Sequence, residues 1–97
     1  MTNGSPTIAI RAGWAAFVTR RRKELHLSQA ALSINVGVHH SYISLIELDG
    51  LIPSREKVIR MALALDTGVD ETLLLAGYAP ITKTGFRRAM ASLKGRV

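Results

Sequence analysis

Residues 27–54 read LSQAALSINVGVHHSYISLIELDGLIPS, and the fold turns on how this stretch divides. Ser28 is a good N-cap, and Ala30, Ala31, Leu32 and Ile34 follow without a breaker until Asn35, so a short helix starts here. Gly37 tolerates a left-handed turn at little cost. Val38, Ile43 and Ile46 then recur at helical spacing, which predicts another helix from about His39 or His40 to Leu48. Leu48 to Ser54 is a loop closed by Pro53, with Ser54 capping the next helix.

Upstream, Trp14, Phe17, Val18 and Leu25 form one stripe of a helix over about Gly13–Leu25. Arg21 interrupts that stripe, so its guanidinium must snorkel outward or find a partner. Residues 1–12, mixed in Gly, Ser, Pro and Thr, read as a flexible N-terminal arm. Downstream, a helix over about Arg55–Asp66 buries Val58, Met61, Ala62 and Leu65. Gly68 breaks the chain before a short helix with Asp70 as its cap, ended by Gly77. In the tail, 80–97, Thr84 caps a basic amphipathic helix whose Phe86, Ala89, Met90 and Leu93 fall at i, i+3, i+4 and i+7.

The totals fit one small domain. The chain has 97 residues, 47% hydrophobic but only 5% aromatic, so aliphatic side chains and alanine must build the core, which favours helices. With no cysteine, disulfides and thiolate metal sites are excluded. No apolar run approaches the ~20 residues of a membrane span, so a cytoplasmic protein without a membrane partner is expected. A net charge of +6 on so short a chain suggests a polyanionic partner.

Two short helices joined by a glycine-centred turn, the second polar at its start, spell a helix-turn-helix. Here the chain resembles the lambda-repressor-like, Cro/XRE-type helix-turn-helix family. The resemblance rests on Leu27, Ser28, Gln29, Leu32, Gly37, Val38, Ile43, Ser44, Ile46, Glu47, Pro53 and Ser54, and it covers about Trp14–Ala79. His26, Ser33, His39, Arg21 and the pair Asp49-Gly50 depart from the usual pattern at cap, turn or edge positions.

The resemblance implies an all-α fold: a five-helix domain over 13–79, with the C-terminal amphipathic helix additional to it. It also implies double-stranded DNA as partner, bound by a homodimer, with the third helix in the major groove. With Val38, Ile43 and Ile46 inward, the outward side chains are His40, Ser41, Ser44 and Leu45, the candidate base contacts. Leu45 has no hydrogen-bonding group and suits a thymine methyl, unless it packs at the helix edge. Ser28, Gln29, His39, Tyr42, Ser54 and Arg55 are the candidate phosphate contacts, with the loop amides from Asp49 to Ile52. Gln29 alternatively braces the recognition helix, and Tyr42 alternatively only packs. Arg22 and Glu47 match the family's ion pair between its first and third helices, expected to be structural. Leu75, Tyr78, Ile81, Phe86, Met90 and Leu93 are the candidate dimer surface; the last helix alternatively covers its own core.

Neighbouring helical residues point about 100° apart, so His39 and His40 are a poor chelating pair, and neither a metal nor another cofactor is expected. Catalysis lacks a nucleophile with supporting motifs. The sequence therefore points to a DNA-binding transcriptional regulator, with a repressor the expected kind. Two alternatives keep the fold: an antitoxin that binds a toxin and regulates its own operon, or an interaction module that has lost DNA binding.

Overall fold

A computed structural model describes residues 7–81 of the chain. Five helices follow one another: α1 (Ile8–Glu24), α2 (Gln29–Val36), α3 (His40–Asp49), α4 (Arg55–Ala64) and α5 (Val69–Leu75). No strand occurs among the described residues, and the fold is all-α. α3 packs against both α1 and α2, while α4 packs against α2 and α5. Trp14 and Val18 from α1, Leu32 from α2, Ile43 and Ile46 from α3, and Val58, Met61, Leu65 and Leu73 meet in one fully buried core. Each such side chain contributes about 1.5–3 kcal/mol by leaving water, enough to fix the helix orientations.

Side-chain caps set where most helices begin. The Ser28 hydroxyl accepts the Ala31 amide at 3.0 Å, and the Ser54 hydroxyl accepts the Lys57 amide at 3.3 Å. Gly37 ends α2 and Gly50 ends α3, both in the left-handed conformation at φ 86° and 71°. No described helix is long and apolar enough to cross a membrane.

Three boundaries differ from those expected. α1 starts at Ile8 rather than Gly13, because the Thr7 hydroxyl accepts the Ile10 amide at 3.0 Å and opens the helix there. Residues 8–12, read as part of a flexible arm, are therefore helical. α4 stops at Ala64, since Asp66 turns left-handed at φ 55°. Gly68, not Asp70, caps α5: both the amide and the hydroxyl of Thr72 donate to the Gly68 carbonyl, at 2.9 and 2.6 Å. The Asp70 carboxylate instead accepts the Ile81 amide at 2.8 Å. The expected tail helix, with Phe86, Met90 and Leu93, lies outside the described residues.

Candidate nucleic-acid interface

His39 caps the start of α3: its Nδ1 accepts the Ser41 amide at 3.2 Å and lies 2.8 Å from the Ser41 hydroxyl. An imidazole capping through Nδ1 carries its proton on Nε2, so the outer edge of the neutral ring is a donor. The His40 ring packs over the His39 ring with centroids 4.3 Å apart. No group of three or more histidine or acidic side chains placed to hold a metal occurs among the described residues.

Burial of Ile43 and Ile46 turns the opposite face of α3 to solvent. His40 and Ser41 are exposed there, Ser44 is half-buried, and Leu45 is 46% exposed. These four side chains form one polar-to-apolar strip along the helix. Tyr42 sits at its flank, half-buried, with the Lys57 ammonium 5.8 Å from its ring centroid. Burial, followed by the neighbouring Tyr78, raises the Tyr42 phenol above its ordinary range, so its hydroxyl stays a donor.

The Arg22 guanidinium forks onto the Glu47 carboxylate, Nε to Oε2 at 2.6 Å and Nη2 to Oε1 at 3.0 Å. Its remaining nitrogen donates to the Leu27 carbonyl at 2.8 Å. Gln29 adds a third donor to Glu47, at 3.1 Å, so its side chain braces α3. One carboxylate thus ties α1, the start of α2 and the end of α3 together. Burial alone would raise the Glu47 carboxyl; the hydrogen bonds from Arg22 and Gln29, and the charge of Arg22, outweigh it and hold it below the usual range. The bond to Glu47, opposed by burial, raises the Arg22 guanidinium.

The loop after α3 is held from beneath. The Trp14 indole N–H donates to the Leu51 carbonyl at 3.1 Å, and the Tyr78 hydroxyl donates to the Pro53 carbonyl at 2.6 Å. Of the loop amides, that of Gly50 is spent on Ile46. Those of Leu51 and Ile52 donate to nothing among the described residues. Ser28 and Ser54 accept in their caps and keep a hydroxyl hydrogen to give. One arm of Arg55 is committed to the Ala79 carbonyl.

Several side chains carry more than their sequence positions suggested. Arg11, placed by composition in the arm, donates to the carbonyls of Asp49 and Gly50 at 2.9 and 3.3 Å and closes the C-terminus of α3. Its place one turn before Trp14 and two before Val18 was the available signal. Lys57 was passed over because its closeness to Tyr42 is tertiary. Arg21 finds its partners in the Leu65 and Asp66 carbonyls, at 2.8 and 3.3 Å, at the end of α4. At the candidate dimer surface, Leu75 and Tyr78, read as exposed, are half-buried against the core. Only Ile81 among the described three is exposed, at 56%.

The family model described as Helix-turn-helix matches residues 18–71, from the middle of α1 into α5. No curated protein and no solved structure gave a significant match. More than half of the chain is covered by the match, and it runs through both helices of the motif. The chain belongs to the Cro/XRE-type helix-turn-helix family and is of the DNA-binding transcription regulator kind.

Proposed function

We propose that this chain is a sequence-specific repressor that lays α3 into the major groove of a near-palindromic operator. The observation that carries the reading is the family match over 18–71, joined to the outward strip of exposed His40, Ser41 and Leu45 with half-buried Ser44 on the motif's second helix. His40 and Ser41 offer donors and acceptors to base edges, and Leu45 offers an apolar surface to a thymine methyl. The α2 N-terminus at Ser28 and Gln29, His39 Nε2, the Tyr42 hydroxyl, the loop amides of Leu51 and Ile52, and Ser54 with Arg55 supply the phosphate contacts. Gln29 reaches a phosphate through its backbone amide, since its side chain serves Glu47.

Binding as a homodimer gives two half-sites about 34 Å apart. Ile81, with Phe86, Met90 and Leu93 of the tail, is the surface assigned to that pairing, and Leu75 and Tyr78 contribute only their exposed edges. Selection of bound duplexes from a random DNA library tests the reading. A recovered palindrome with that spacing is the expected result, and no enriched sequence overturns it. Repression is supported if a promoter overlapping the palindrome is silenced by the wild type and released by His40→Ala. In an antitoxin role the same operator contacts would coexist with a tight complex to a toxin encoded beside the gene.

A further inference from the structure

We infer that His39 is a positioning residue for base readout: its ring is the platform that fixes the direction in which His40 meets a base edge. This deepens the proposed operator contact and rests on it. The cap alone does not call for an imidazole, since a serine at 39 would accept the same amide and present no ring. What the imidazole adds is a flat surface of fixed orientation. Its Nδ1 is held by Ser41 at two points, the amide at 3.2 Å and the hydroxyl at 2.8 Å, so the ring cannot turn without giving up the cap.

The His40 ring lies against that surface, with centroids 4.3 Å apart and planes inclined by 32°. It has no hydrogen-bond partner among the described residues and takes its support from this contact. His40 is also exposed at the first position of α3, where a side chain without a neighbour would exchange rotamers in water. Holding one rotamer before binding leaves less entropy to lose at the base edge. A hydrogen bond to a base edge depends on direction, so the preference at that base pair depends on the platform. A phosphate contact from His39 Nε2 would instead raise affinity for every sequence alike.

Two substitutions separate the ring from the cap: His39→Ser keeps the cap and loses the ring, and His39→Phe does the reverse. The probes are the duplex that the wild type selects and duplexes changed at one base pair of each half-site in turn. His40→Ala identifies the base pair that His40 reads. His39→Ser should melt like the wild type yet lose about fivefold of the preference at that base pair, the equivalent of one aromatic contact. His39→Phe should melt lower and recover the preference, and adding His40→Ala to His39→Ser should remove little more. In the free chain, the His40 ring protons should show an upfield shift from stacking that His39→Ser abolishes. The proposal is overturned if His39→Ser binds more weakly but by the same factor on every duplex, if His39→Phe recovers nothing, or if the upfield shift is absent. A wild type that selects no duplex is a different outcome, since it removes the operator reading itself and this proposal with it.

Discussion

His39 caps the start of α3 with a ring nitrogen at a position where Ser or Thr would supply a hydroxyl. Only Nδ1 is needed for the cap, leaving Nε2 for another acceptor. His39→Ala should cost about 1 kcal/mol in urea denaturation, the usual worth of an N-cap, whereas His39→Ser should keep that stability. The serine variant should still bind DNA less tightly if Nε2 meets a phosphate. Glu47 is a different case, since three donors converge on a carboxylate that retains little solvent. Glu47→Ala leaves Arg22 buried without its counter-charge and should cost about 3 kcal/mol. Thermal unfolding would show it as a fall of ~12–24 °C, with the ranking of operators little altered. Because Glu47 is held below its unfolded value, the stability it contributes is present above about pH 4.3 and is lost as pH falls through the folded value. Denaturation at pH 7 and pH 3 should therefore differ more for the wild type than for Glu47→Gln.

At the scale of elements, the junction of α1 with the end of α3 depends on Gly50. Its φ of 71° favours glycine, and an added Cβ would lie 2.7 Å from the Arg11 carbonyl oxygen. Gly50→Ala should thus cost at least about 2 kcal/mol, combining left-handed strain with a backbone clash that no rotamer relieves. Amide exchange should open first at the N-terminal turns of α1 and the last turn of α3. Fold class and the α2–turn–α3 unit were legible because their signals are local: Ser28, Gly37, the Ile43–Ile46 spacing and Ser54 act within a turn or two. The start of α1 was not. Gly13, exposed with nothing within 4 Å, looks like a boundary, yet a glycine inside a helix costs only about 1 kcal/mol. Thr7 and the contacts of Arg11 some 38 residues away outweigh it, and that long-range partner has no signature in local sequence. For the candidate site, helical phase alone gave the outward face of α3. What Gln29, Tyr42 and Arg55 touch depended on tertiary neighbours.

For the whole molecule, the net charge of +6 favours a polyanionic partner, and the number of phosphates its cations neutralise sets how binding answers to salt. Lys57 lies beside Tyr42, and in the proposed complex it would bring one cation per copy to the phosphates. Lys57→Ala should lower the slope of log affinity against log salt by about 1 per bound copy and leave base preference unchanged. Titrations of one operator at several salt concentrations would measure it.

Trp14 is the chain's single tryptophan, fully buried, with its indole N–H on the carbonyl of Leu51. The loop it supports is the one whose amides are proposed to meet a phosphate. Intrinsic fluorescence is consequently a label already in place: its emission should shift to the red on unfolding, and movement of Leu51 at the DNA backbone should change its intensity. Docking on an operator could then be tracked in real time without attaching a dye.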